Sequence, residues 1–130
     1  MASIRREVTI DAAPEAVWDA LRDVGAIHTR LAKGFVADVR LNGDTRVVTF
    51  GNGMVVEEIV LGIDEELRRV AWTARGGRLS HHNAAAQVFS EGPSRTRFVW
   101  IADILPNELA PTIAGMIEQG LAAIKRTLEG

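Results

Sequence analysis

The chain has 130 residues, 47% hydrophobic and 25% charged, with a net charge of -2. This is the composition of one soluble globular domain, residues 1–130, able to bury roughly two-thirds of its unfolded surface. Zero cysteines exclude disulfides and thiolate chemistry and fit a reducing cytoplasm. The mild acidity gives no electrostatic footprint for nucleic acid, and no run nears the ~20 apolar residues of a membrane span, so neither nucleic acid nor integral membrane association is expected.

The opening "MASIRREVTI" has no apolar signal core, and its "REVTI" alternates to place Val8 and Ile10 on one face of a first strand. In "DAAPEAVWDALRDV" Pro14 suits the first turn of a helix, with Val17, Leu21 and Val24 as its apolar stripe. Gly25 to Leu31 predicts a second short helix. From Phe35 the period becomes two: Phe35, Ala37, Val39 and Leu41 share one face of a second strand. Val36, Asp38 and Arg40 share the other, whose mixed charges suit an exposed edge. "NGD" turns the chain into "TRVVTF", and Gly51-Asn52-Gly53 is a hairpin signal, because such turns need positive φ. "MVVEEIVLGI", "LRRVAWTA", "HHNAAAQVF" and "RTRFVWIADIL" continue as strands four to seven. After Pro106 the period returns to 3.6, with Leu109, Ile113, Met116, Ile117, Gly120, Leu121, Ile124 and Leu128 on one helical stripe. The expected class is α+β: a mostly antiparallel seven-stranded sheet whose apolar face is covered by the last helix.

The order of elements, with "IDAAPEAVWDAL", "GDTRVVTF", Glu58 followed by "IVLGID", and "SRTRFVW" ahead of a proline-started helix, resembles the helix-grip superfamily. That group (SRPBCC) includes START lipid-transfer domains, birch-pollen allergens, abscisic-acid receptors and bacterial polyketide cyclase/dehydrase-like proteins. The resemblance implies a curved sheet gripping the last helix, with a ligand cavity between them. It also places Glu58 inward with Val56 and Val60. Gly51-Asn52-Gly53 and Arg75 to Ser80 resemble in position the two entry loops of the abscisic-acid receptors. The Leu-Pro pair of the first is missing and only Arg78-Leu79 of the second is kept, so hormone function is not carried over. Read without the resemblance, both are glycine-rich hairpin turns.

Alternation assigns the rest of the candidate lining. Val48 and Phe50 come from strand three, Val70 and Trp72 from strand five, and His82, Ala84 and Ala86 from strand six. Strand seven adds Phe98, Trp100 and Ala102, and the last helix adds Ile113, Met116, Ile117 and Gly120. On strand six His81, Asn83, Ala85 and Gln87 are left to solvent. Glycine inside a helix costs about 1 kcal/mol relative to alanine, so Gly120 asks for a packing or functional reason. Ala84, Ala86, Ala102 and Gly120 converge where sheet and helix meet. Either Trp72 and Trp100 fill the space over them, large against small, or the space is a cavity with the tryptophans as walls. The resemblance favours the cavity.

Two polar residues are candidates for chemistry. An inward Glu58 carboxylate needs a partner or a raised pKa, and could orient a ligand or act as general acid or base. His82 faces inward near the mouth, within expected reach of Glu58. His81 and His82 point to opposite faces, and only His28 remains, so no metal site and no cofactor are expected. The expected function is binding or transport of a small hydrophobic or amphipathic molecule (a lipid, isoprenoid or polyketide-like compound) by a monomer or weak homodimer. The alternative is a cyclase/dehydratase-type enzyme using Glu58 or His82 in the same chamber.

Overall fold

The computed structural model describes residues 1–130. The elements run β1 (Ala2–Ile10), α1 (Pro14–Arg22), one π-helical turn (Ile27–Leu31), β2 (Val36–Asn42), β3 (Thr45–Phe50), β4 (Val55–Asp64), β5 (Arg69–Arg75), β6 (His81–Ser90), β7 (Thr96–Leu105), a 3-10 turn (Asn107–Leu109) and α2 (Ala110–Glu129). All seven strands form one antiparallel sheet in the order β1-β7-β6-β5-β4-β3-β2. Short hairpins from β2 to β7 produce that order, and β1 closes against the far side of β7. This is the α+β class that the patterning predicts, in the helix-grip-like arrangement that the resemblance implies.

α2 covers the inner face with Ala114, Ile117, Gly120, Leu121, Ala123 and Ile124, its buried positions. Ile10, Val17, Phe98 and Ile104 are almost fully enclosed and anchor the packed part of the core. α1 buries Val17, Trp18, Ala20 and Leu21. It stops at Arg22, so Val24 belongs to the following loop rather than to the helix stripe. The second short helix is reduced to the single π turn, and its only buried residue is Leu31.

The alternation expected for β2 fails at a bulge between Val36 and Asp38. An extra residue on one strand flips the side chains beyond it. Val36 and Val39 are therefore both buried; Leu41, on Val39's side but near the end of this edge strand, is 47% exposed. Ala85, expected in solvent, is buried on the outer face, where its cross-strand neighbours are Ala71 and Ile101. A second bulge, between Val60 and Gly62, bends β4 against β5.

The β3–β4 hairpin is tied to the loop before β2. A Cβ on Gly51 would lie 2.2 Å from the Gly34 carbonyl oxygen, so only glycine allows this approach. The Gly51 N–H donates to the Phe35 carbonyl at 2.9 Å. Phe35 and Phe50 consequently meet edge to face with centroids 5.4 Å apart.

Candidate functional site

Between the sheet, the π turn and the first half of α2 lies a cavity of about 390 Å³, walled by 30 residues of which 22 are hydrophobic. That volume falls in the roughly 300–1,000 Å³ range of small-molecule sites. Of the residues read from sequence, Val48, Phe50, Val56, Glu58, Val70, Trp72, His82, Ala86, Phe98, Trp100, Ile113, Met116 and Ile117 are in its wall.

Val60, Ala84, Ala102 and Gly120 are not in the wall, and packing explains each. A Cβ on Gly120 would stand 2.7 Å from Trp100 Cζ3 and 3.1 Å from Phe35 Cε2, so the glycine makes room for an indole. Ala84 is directly opposite Trp72 in the β5–β6 register and is covered from that side. Ala102 is enclosed between Ala84 and Ile4 on the neighbouring strands. Val60 precedes the β4 bulge and is only half-buried against the core. Of the two accounts of the small residues, the filled one holds around Gly120. The hollow opens beside it, toward β3 and β4.

The polar centre of the wall is a buried ion pair. Glu58 on β4 is 9% exposed and its cross-strand partner Arg46 on β3 is 3% exposed. Arg46 Nε donates to Glu58 Oε1 at 2.8 Å, and Nη1 donates to the Val24 carbonyl at 3.1 Å. The guanidinium also rests over the Trp72 ring, 5.5 Å from its centroid. Burial pushes the Glu58 carboxyl above its ordinary range, and Arg46 only partly offsets that push. Arg46 was not read from the sequence as a site residue. The signal was present: Arg46 has the same parity as Val48 and Phe50, and a loop centred on Asn52 sets it opposite Glu58.

Trp72 and Trp100 meet edge to face at 5.8 Å between centroids. Neither indole N–H has an acceptor in the protein, and neither is sealed away; the one polar side-chain atom both sealed and unpartnered is His28 Nδ1, outside the cavity wall. Trp18 differs, since its N–H donates to Glu65 Oε2 at 2.8 Å. Both tryptophans are wall residues, and their N–H groups are unpaired within the protein.

His82 lies at the margin and does not reach Glu58. Its Nδ1 accepts the Ala74 backbone N–H at 2.9 Å, and Ala74 is the residue opposite Glu58 on β5. Burial, with the nearby His81, holds the imidazole below its ordinary range. Glu58 and His82 are therefore two separate polar positions with β5 between them. His81 is exposed on the other face, and no three ligating side chains come together. Wall residues outside the strand alternation include Leu21 of α1, Ile27 and Leu31 of the π turn, Ala32 and Phe35 after it, and the stretch Arg75–Leu79.

A comparison with curated proteins finds no match. Solved structures share the fold at low identity. An uncharacterized protein from Bacillus thuringiensis superposes with a TM-score of 0.87 at 15% identity, covering 98% of each chain. A START superfamily protein from Mycobacterium smegmatis gives 0.72 at 16%, covering 98% of this chain and 94% of that one. Norcoclaurine synthase from Thalictrum flavum gives 0.75 at 18%, covering 96% and 84%. The family model for "polyketide cyclase / dehydrase and lipid transport" matches residues 1–129. With that match spanning nearly every residue, the chain belongs to the polyketide cyclase/dehydrase and lipid-transport family.

Proposed function

We propose that this protein binds one small, largely apolar molecule in the cavity, with an oxygen-bearing end against Arg46, Glu58 and the Trp72 and Trp100 N–H groups. The observation that carries this reading is the pairing of a mostly hydrophobic wall with a desolvated ion pair. Replacing a buried ion pair by packed apolar residues is often neutral or stabilising, so stability alone gives little reason to keep one beside a void. A polar anchor for a ligand gives a reason. The free indole donors add preference for acceptor oxygens, because a ligand without them would leave those N–H groups unmet.

A thermal-shift series tests the reading with 2-naphthol, decanoic acid and their hydrocarbon counterparts naphthalene and decane. Binding to the native state raises stability by about 2.7 kcal/mol at a hundredfold excess over Kd. The expected result is a dose-dependent rise in Tm for the oxygenated compounds and a smaller one for the hydrocarbons. No rise with any of the four contradicts the proposal.

A second reading, a cyclase- or dehydratase-type reaction in the same chamber, is favoured by the placement of a buried carboxyl, Glu58, in the cavity wall, where desolvation pushes it upward and suits it to exchange protons with a ligand. Glu58→Gln separates the two readings. Under catalysis it abolishes turnover while the 2-naphthol shift survives; under binding alone it weakens that shift and there is no turnover to lose.

A further inference from the structure

The ladder between β5 and β6 pairs from Arg69↔Gln87 to Trp72↔Ala84 and stops there. Beyond that point side chains do the joining. The Thr73 hydroxyl donates to the His82 carbonyl, and the Ala74 N–H goes to His82 Nδ1. On the far side of this seam a separate open groove of about 450 Å³ is bordered by Leu61, Ser80 and Asn83, among others. Ala74, Arg75, Gly76, Leu79 and His82 belong to the walls of both the groove and the inner cavity. His82 is thus part of a thin partition, and its ring occupies the place of a backbone pair.

We propose that this seam is a side gate of the cavity, held shut while the His82 imidazole is neutral and released when the ring takes a proton. The chemistry is specific. Nδ1 accepts the Ala74 N–H only with its lone pair free; a proton there turns acceptor into donor and sets two N–H groups against each other. No carboxylate lies within ion-pair distance of the ring to offset the charge. On β4, Glu58 is held by Arg46, and Glu57 is opposite Arg75. On β7, Asp103 is opposite Asn83 and accepts from Ser3 at 2.6 Å, while Ile104 faces His82. The other polar neighbours, Arg75, Arg78 and His81, offer no negative charge. Gly76 and Gly77, at φ of 92° and 67°, give the adjoining loop backbone freedom to swing once the Ala74 bond is lost. Burial keeps the ring neutral at pH 7, so the gate answers to acidification below the ordinary imidazole range.

The role of the gate rests on the cavity-binding reading, but the switch itself is measurable without any ligand. Amide hydrogen exchange of Ala74 and of residues 75–80, corrected for intrinsic rate, is followed at pH 7.5 and 5.5. Opening that requires one proton speeds ~10-fold per pH unit above the folded pKa. A large acceleration at pH 5.5 is expected in the wild type and in His81→Asn. His82→Asn, which keeps an acceptor but cannot titrate, should remove it, and His82→Ala should exchange fast at both pH values. A pH-independent wild type, or unchanged pH dependence in His82→Asn, overturns the gate. Release of 1-anilinonaphthalene-8-sulfonate in parallel separates the two readings. If the amides switch but the dye does not bind, the cavity reading fails and the seam stands. If the dye binds and leaves at a pH-independent rate, the seam is no gate.

Discussion

The small residues around Gly120 and the β3–β4 flank around Arg46 both border the space beneath α2, yet they met opposite fates. Around Gly120 the space is taken by aromatic rings: Trp100 and Phe35 press on the glycine, and Trp72 is opposite Ala84. Around Arg46 the wall residues are larger, and the space in front of them is open. The difference teaches that a small side chain in a sheet does not by itself mark a void: Ala84 and Ala102 are packed over, while Ala86 borders the cavity. The hollow lies instead on the flank whose strands carry two bulges and the tight Gly51–Gly34 contact.

The largest effect that can break this comparison is at the ion pair. Arg46→Ala strands a buried carboxylate and should cost about 3–5 kcal/mol in denaturant unfolding. The double change Arg46→Met with Glu58→Leu should instead be neutral or stabilising by up to about 4 kcal/mol, while abolishing the 2-naphthol response. Losing stability in the double variant would make the pair structural rather than a ligand anchor.

In the packed region Ile104, fully enclosed, should lose about 2–5 kcal/mol on truncation to alanine. Ile113 already borders open volume, and its truncation should cost about 1 kcal/mol. Equal costs at the two sites would mean that the chamber is not hollow in solution. Gly120→Ala sharpens the contrast further. Its Cβ meets the Trp100 ring too closely for ordinary contact, and overpacking of this kind costs about 1–3 kcal/mol, against about 1 kcal/mol of regained helix propensity. A net loss of stability, with weakened 2-naphthol binding as the indole is driven into the cavity, is expected in the same thermal-shift assay.

The smallest effect is in pH dependence. Glu58 has its folded pKa raised above the ordinary 4.5, so its neutral form is the one folding favours. Its contribution is therefore fully present below pH 4.5 and is lost as pH rises through the folded value. Relative to Glu58→Gln, the wild type should lose stability across that rise. His82 acts in the opposite sense: its folded pKa is depressed, so its contribution is present above 6.5 and is lost as pH falls through the folded value. Urea unfolding of the wild type, Glu58→Gln and His82→Asn at pH 4.5, 6 and 7.5 separates the two signs.

Much of the fold was legible because its period switches are plain: alternation along most of β3 to β7, broken once in β4, then a long 3.6-residue stripe. Parity alone put Trp72, Trp100 and Phe98 on the right face, and the resemblance did the same for Glu58. Parity failed where the backbone departs from two residues per repeat, at Val36–Asp38 and beside Val60–Gly62, because a bulge carries no side-chain signature. Arg46 was overlooked for a different reason, since a lone arginine in a strand reads as solvent-facing until its cross-strand carboxylate is identified. The seam at His82 was out of reach, because an imidazole standing in for a backbone acceptor depends on three-dimensional splay between β5 and β6.

The three tryptophans supply the most direct test of an occupiable cavity. In a titration with 2-naphthol, the indole N–H resonances of Trp72 and Trp100 should shift in ¹⁵N–¹H spectra while that of Trp18, engaged by Glu65, stays in place. Saturating 2-naphthol that leaves Trp72 and Trp100 unmoved, or that shifts all three alike, would contradict the account.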